Sequence, residues 1–160
     1  MNREDYLEKI LQLSVRNKPK KKQTATPNKY PQGYFKEKRC KHCGFSFIPQ
    51  APSEHYCCDK CKDYGTIEAY YKRTYGITIK DYLDIAEEQG YVCAICGQDN
   101  FKMGDFHSGV LVVDHDHQTG KVRGLLCHNC NRALGLLHDD KSALLQALKY
   151  LEGATTIRKE

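Results

Sequence analysis

Val113-Asp114-His115-Asp116-His117 is the stretch that decides the fold of this chain, and it lies between two pairs of cysteines. The first pair is Cys93-Ala94-Ile95-Cys96, and the second is Cys127-His128-Asn129-Cys130, which Asn131 follows directly. Four thiolates satisfy the tetrahedral coordination of zinc and leave no open position, so this zinc ion is predicted to be structural. The stretch between the pairs offers carboxylates for a hard cation and imidazoles that can take a proton from water. The pattern therefore predicts a zinc clamp around a catalytic hairpin.

Length and composition limit the size of the core. The chain has 160 residues, of which 40% are hydrophobic and none is tryptophan, and this suits one small domain or two very small ones. Small cores are usually reinforced by disulfides or bound metal ions, and the nine cysteines can supply either. Their short spacings are poor for disulfides and good for chelation, so we expect reduced thiolates in an intracellular protein. The sequence shows neither a signal peptide nor the run of about 20 apolar residues that spans a membrane.

Hydrophobic periodicity predicts a small, zinc-stapled α+β fold. Helices are predicted at 3–15, at 64–75, from Thr78 with Asp81 completing a capping box, after Cys130, and at 142–151. Strands are predicted at 110–113 and 122–126, with turn residues at 118–121 between them. The last helix is predicted to bury an inner face formed by Leu144, Leu145, Leu148 and Leu151.

A second cysteine cluster lies upstream and comprises Cys40, Cys43, Cys57, Cys58 and Cys61. Cys40 and Cys43 form the first half of a zinc site. By spacing alone, Cys58 and Cys61 match them as the second half. However, the order aromatic-Cys-Cys-x-x-Cys at 56–61 resembles a small zinc finger in which the cysteine after the aromatic residue is a ligand. That resemblance implies Cys57 and Cys61, with Cys58 as the alternative to Cys57.

The hairpin and its flanks resemble a known nuclease family. The similarity rests on 113–117, on Gly120-Lys121-Val122-Arg123-Gly124-Leu125-Leu126-Cys127, and on Asn129-Cys130-Asn131. These segments resemble the phage recombination endonuclease VII family, which belongs to the ββα-metal, or HNH/His-Me finger, nucleases. The resemblance implies a metal-dependent endonuclease that hydrolyses phosphodiester bonds of DNA. It also implies a phage or prophage origin and action in the cytoplasm of a bacterial host.

Carried onto this chain, the resemblance implies a role for each polar residue of the hairpin. Asp114 and Asn131 are expected to bind one catalytic Mg²⁺ or Mn²⁺ ion. His115 is expected to activate water as the general base. His117 is expected to face the phosphate, and Arg123 to bind the DNA backbone. Together with the two cysteine clusters, the expected cofactors are two structural zinc ions and one catalytic divalent cation.

Four segments are predicted along the chain. They are a short helix with a basic flexible tail at 1–32, a zinc finger at 33–63, a helical connector at 64–90 and the ββα-metal nuclease domain at 91–160. The net charge of +5 is uneven, because the basic residues between Lys18 and Arg39 are interrupted by a single acid, Glu37. Lys20, Lys21 and Lys22 form the densest part of this run, and we predict that they contact DNA phosphates.

DNA is the expected partner, with no membrane and no small-molecule substrate. Junction-resolving members of the family dimerise through a long helical extension, which this sequence does not show after its last predicted helix. A monomer is therefore one expectation, and the oligomeric state stays open. The competing hypothesis is a non-catalytic, regulatory double zinc-finger protein that binds DNA. It accounts for the cysteines and lysines, but it leaves Asp114, His115 and Asn131 without a role.

Overall fold

A computed structural model describes residues 1–16 (the backbone alone at 13–16), 30, 31, 33–99 and 109–153. This part of the chain is a small mixed helix and strand structure with two four-cysteine clusters. Its elements, in chain order, are α1 (Arg3–Arg16), β1 (Lys38–Arg39), β2 (Ser46–Phe47), α2 (Asp59–Tyr75), α3 (Ile79–Glu88), β3 (Val112–His115), β4 (Val122–Leu126), α4 (His128–Leu136) and α5 (Lys141–Gly153). The strands form two antiparallel hairpins, β1–β2 and β3–β4.

Helix α2 begins earlier than the sequence predicts. The predicted start was residue 64, whereas the helix begins at Asp59 and contains Cys61 in its first turn. The error has a simple reason, because the apolar periodicity starts only at Tyr64 and the preceding turn consists of cysteine and charged residues. Gly76 ends the helix in the left-handed region at φ 71°, and its N–H donates to the carbonyl of Lys72.

Helix α3 begins with the predicted capping box, which the structure confirms. The Thr78 N–H donates to the Asp81 carboxylate at 2.8 Å, and the Asp81 N–H donates to the Thr78 hydroxyl at 3.0 Å. These two bonds satisfy backbone donors that have no partner within the helix. The box also holds the pKa of Asp81 below its usual value, chiefly through the Thr78 N–H.

The hydrophobic core joins elements that are far apart in sequence. Helix α1 contributes Tyr6, Ile10 and Leu11, and these pack in one cluster with residues of α2, α3 and the β3–β4 hairpin. The predicted segment 1–32 therefore shares its core with the predicted segment 91–160. The cluster also contains Ile67, Tyr71, Ile79, Tyr82, Leu83, Ala86, Tyr91, Val110, Leu111, Val113, Leu125 and Leu126.

Two buried tyrosines bind the backbone of Leu111, which leads into β3. The Leu111 N–H donates to the Tyr6 hydroxyl at 3.0 Å, and the Tyr82 hydroxyl donates to the Leu111 carbonyl at 2.7 Å. The two hydroxyl oxygens are 3.1 Å apart. Because the Tyr82 proton is directed to Leu111, Tyr6 donates to Tyr82, and the hydrogen bonds form a closed ring. Burial raises the pKa of Tyr82 well above its usual value, so the phenol keeps the proton that it donates.

Gln89, the residue after α3, plays a similar part for β4. Its side-chain oxygen accepts from the Leu125 N–H at 2.9 Å, and its side-chain nitrogen donates to the Leu125 carbonyl at 2.8 Å. The amide thus replaces a third strand at the outer edge of the hairpin. A Cβ atom at Gly124 would lie 3.0 Å from the same Gln89 oxygen, which explains the value of a glycine there.

Helix α5 does not bury the face that its leucines predict. Leu145, Leu148 and Leu151 are each more than half exposed, so the prediction of an inner face is wrong for these three residues. The periodicity correctly indicated a helix, but a periodic pattern cannot say what covers the apolar side. Among the described helices, none combines the length and apolar character needed to cross a membrane.

Replacement of the Tyr82 hydroxyl tests the hydrogen-bonded ring. Tyr82→Phe leaves the buried Leu111 carbonyl without its donor, and we expect the free energy of unfolding to fall by about 1–3 kcal/mol. Urea unfolding of the full chain measures the change. Tyr150→Phe removes a hydroxyl from a side chain that is 76% exposed and should leave stability unchanged. Equal stability of the two variants would contradict a structural role for the ring.

Candidate functional site

The β3–β4 hairpin contains an irregularity at the position of the predicted catalytic residues. Asp114 pairs with Gly124, whereas His115 pairs with Val122, so Arg123 has no partner in the register. A regular strand sends successive side chains to opposite faces, and a bulge interrupts this alternation. The hairpin thus has the bend that is needed if Asp114 and His115 are to serve one site.

Asp114 is held by the arginine at the bulge. Its side chain is 11% exposed, and the guanidinium of Arg123 donates to both carboxylate oxygens, at 2.7 and 2.9 Å. Such a two-point pair satisfies a nearly buried carboxylate and fixes its orientation. The hydrogen bond to Asp114 is also the main reason why the pKa of Arg123 is raised. Arg123, predicted to bind DNA phosphate, therefore contacts a predicted metal ligand.

Asp139 joins this pair to His117, and no motif in the sequence points to this residue. Its carboxylate oxygen lies 3.2 Å from an Arg123 nitrogen and 3.3 Å from Nδ1 of His117. Asp139 follows α4 and has a left-handed backbone, with φ 56°. It is remote from the hairpin in sequence, so only the return of the chain after α4 brings it to the site.

The two histidines of the hairpin contact each other. The ring centroids of His115 and His117 are 5.0 Å apart and nearly perpendicular, and His115 lies 5.5 Å from the ring of Tyr75. His115 is half-buried, whereas His117 is exposed. An unbroken series of contacts therefore runs from Asp114 through Arg123, Asp139 and His117 to His115.

Asn131 lies in the first turn of α4. Cys127 precedes the helix, its carbonyl accepts from the Asn131 N–H at 3.0 Å, and α4 packs against both strands of the hairpin. The Asn131 residue is half-buried.

Asp116 stabilises the hairpin turn. Its carboxylate accepts hydrogen bonds from the N–H groups of Gln118 and Thr119.

The downstream cysteines converge. Cys93, Cys96, Cys127 and Cys130 place their sulfur atoms within 4.8 Å of one another, and the sulfurs of Cys96 and Cys127 are 3.8 Å apart. Four sulfurs around a tetrahedral zinc ion, each at about 2.3 Å, lie about 3.8 Å from each other. The spacing therefore fits a structural zinc ion. The Ala94 N–H also donates to the Leu125 carbonyl at 3.1 Å, which fastens this cluster to β4.

The upstream cluster has the same geometry. Cys40, Cys43, Cys57 and Cys61 lie within 4.8 Å of one another, with sulfur distances of 3.5 Å from Cys43 to Cys57 and 3.6 Å from Cys57 to Cys61. Cys58 lies outside this group and is exposed. The structure thus brings together the set that contains Cys57.

The predicted phosphate contacts Lys20, Lys21 and Lys22 lie outside the described residues.

Comparison with known proteins identifies the family. A hairpin with an Asp/His cluster, followed by a helix and enclosed by four cysteines, defines a zinc-binding class of protein with a candidate active site. The family model described as recombination endonuclease VII matches residues 68–153. The chain belongs to this family, as its motifs predicted, and membership suggests a nuclease that acts on DNA.

Two phage proteins are similar to this chain. They are the Gene 59 proteins of Mycobacterium phages D29 and L5, each 37% identical over 127 residues. In both cases the alignment covers 72% of this chain and 74% of the phage protein. No solved structure matches the chain significantly.

Substitution of Cys57 and Cys58 tests the upstream zinc site. We expect two zinc ions per wild-type chain, one ion in Cys57→Ser and two ions in Cys58→Ser, because only Cys57 belongs to the converging set. Metal analysis of the purified full-length variants measures the ratio. The reverse result, with zinc lost from Cys58→Ser alone, would assign the ligand to Cys58.

Proposed function

We propose that this chain is a metal-dependent DNA endonuclease of the ββα-metal type, which hydrolyses phosphodiester bonds. The bulge between Asp114 and His115 carries the proposal, because it breaks the strand at the two residues on which the chemistry depends. Strands β3 and β4 followed by α4 supply the corresponding order of elements. The family match covers all three elements, and its phage relatives support the expected action in a bacterial host.

The donor set fits a hard divalent cation such as Mg²⁺ or Mn²⁺. Asp114 offers carboxylate oxygens and Asn131 an amide oxygen, which are the ligand types that these ions prefer. When bound, the cation would neutralise negative charge on the phosphate. Arg123 bonds once to each Asp114 oxygen, and each of these oxygens keeps a further lone pair with which it could bind a cation. Asp139, 3.2 Å from the same guanidinium, can keep the arginine in place.

His115 is assigned as the general base. Histidine is suited to proton transfer near neutral pH, and the half-buried ring lies at the bulge beside Asp114. His117 is more exposed and lies against His115, and its proposed role is to contact a phosphate oxygen. Asp139 is a positioning residue in this scheme, since it contacts His117 and Arg123 rather than the proposed cation.

Removal of the proposed base tests the function. His115→Ala should slow the cleavage of supercoiled plasmid by about 100-fold or more in the presence of Mg²⁺ or Mn²⁺. Gel analysis of nicked and linear plasmid gives the rate. Zinc content and DNA binding should stay at wild-type levels, because His115 belongs to neither cysteine cluster. His55→Ala, at an exposed histidine shortly before Cys57 in the sequence, is the matched control and should cut normally.

Two results would overturn these assignments. Normal cleavage by His115→Ala would remove this residue from the mechanism while leaving the nuclease in place. Persistent supercoiled plasmid with wild-type protein and either metal would favour the non-catalytic DNA-binding protein instead.

Asp139 has its own test. Asp139→Asn keeps the shape of the side chain but removes the charge that faces Arg123 and His117, and we expect cleavage to slow by about 10- to 100-fold. Plasmid cleavage and urea unfolding of the same preparation measure rate and stability together. Stability should change little, and Asp139→Glu should recover part of the rate.

The neighbouring aspartate provides the control for this change. Asp140 accepts the Ser142 N–H at 2.8 Å near the start of α5, and Asp140→Asn should cut at the wild-type rate. If both asparagine variants slow cleavage equally, the effect arises from the loop after α4 and not from the contacts of Asp139.

A further inference from the structure

Three aromatic rings meet just before β1, outside the part of the chain that matches the nuclease family. Tyr30, Tyr34 and Phe35 form this aromatic triad, and their ring centroids are 4.9 to 5.1 Å apart. Two of the three pairs have the edge-to-face geometry that aromatic rings favour. The triad is therefore an organised cluster, and it shortly precedes Cys40 in the sequence.

The triad borders an open hollow and is not part of the core. The hollow measures about 730 Å³, within the range of about 300–1,000 Å³ that is typical of ligand sites, and Ile48, Pro49 and Gln50 line its other side. Tyr34 is 61% exposed and Ile48 is 69% exposed. Folding alone gains little from large apolar side chains left in water, and grouped exposure of this kind marks a surface that binds a partner.

The charge of the segment that carries the hollow indicates the chemistry of that partner. Between residues 33 and 54, the basic residues are Lys36, Lys38, Arg39 and Lys41, and the acids are Glu37 and Glu54. The Glu54 carboxylate accepts the N–H of Gln50, so it is already bonded within the protein. Lys38 is anchored, because its ammonium group donates to the carbonyls of Pro52 at 3.2 Å and Glu54 at 3.4 Å. Aromatic rings that are flanked by cations fit a ligand with flat apolar faces and negative charge.

We propose that the aromatic triad binds unpaired bases of single-stranded DNA. The inference rests on the proposed function, in which DNA is the substrate, and it adds a preference for substrates that contain unpaired nucleotides. Every base has a face that can stack on an aromatic ring, while the lysines neutralise the phosphates. In an intact duplex the neighbouring bases cover these faces, so the triad distinguishes single strands from duplex.

Fluorescence anisotropy with a labelled oligothymidylate tests the proposal on the full-length protein, without added divalent cation. Tyr34→Ala should weaken binding of the single strand by at least about fivefold, the lower end for one lost stacking contact. Tyr34→Phe keeps the ring and should bind like wild type, whereas Tyr34→Leu keeps apolar bulk without a ring and should bind weakly. Tyr150→Ala, at a similarly exposed tyrosine on α5, is the control and should have no effect.

The other outcomes of this experiment overturn the proposal. Unchanged binding by Tyr34→Ala excludes the triad as the stacking surface. An equal loss on a duplex of the same length, or full binding by Tyr34→Leu, excludes recognition of unpaired bases. Tighter binding of oligouridylate than of oligothymidylate assigns the surface to RNA. Failure of the wild-type protein to bind either oligonucleotide, with normal zinc content, excludes single-stranded nucleic acid as its ligand. Plasmid cleavage by the wild-type chain is scored separately, so loss of the proposed function and loss of this inference are distinguished.

Discussion

The structure depends on how a hairpin of only two strands satisfies its outer backbone groups. A lone hairpin is marginally stable in water, and a buried N–H or C=O without a partner costs free energy. Here side chains take the place of the missing strands. Tyr6 and Tyr82 bond to both polar groups of Leu111, and Gln89 bonds to both polar groups of Leu125. These side-chain bonds fix both strands of the hairpin from outside. They therefore also support the bulge at Asp114 and His115.

The cysteine clusters complement this support, because the core is small. In the downstream cluster, Cys93 precedes the hairpin and Cys127 follows β4 directly, so one zinc ion would fasten both ends of the site. The family match begins at residue 68 and includes Tyr82 in α3 and Gln89 directly after this helix. Tyr6 comes from α1, outside the matched range. The N-terminal helix therefore completes a hydrogen-bonded ring whose other members belong to the matched family region.

The charges at the candidate site are arranged in alternating order. Arg123 lies between the carboxylates of Asp114 and Asp139, and Asp139 also faces His117. Charge-assisted bonds of this kind orient side chains before any substrate is present. The proposed cation and the arginine would share Asp114, and the second carboxylate helps to hold the arginine beside it. The proposed stacking surface lies outside the matched family region and uses different chemistry, so the stacking surface and the candidate site can be altered separately.

The sequence by itself determined the motifs whose chemistry is local. Cysteine spacing, the Thr78–Asp81 capping box, strand β4 and the family all followed from neighbouring residues, because turns, caps and strand alternation are short-range effects. Strand β3 (Val112–His115) begins two residues later than the predicted strand at 110–113, because its last two residues are polar and the apolar run ends at Val113. Tertiary structure alone decided which partners these residues meet. Asp139 reaches Arg123 from beyond α4, Tyr6 reaches Leu111 from the N-terminus, and the leucines of α5 stay exposed although their spacing predicts burial. A one-dimensional pattern records which face of an element is apolar or charged, but the packing of distant elements determines what lies against that face.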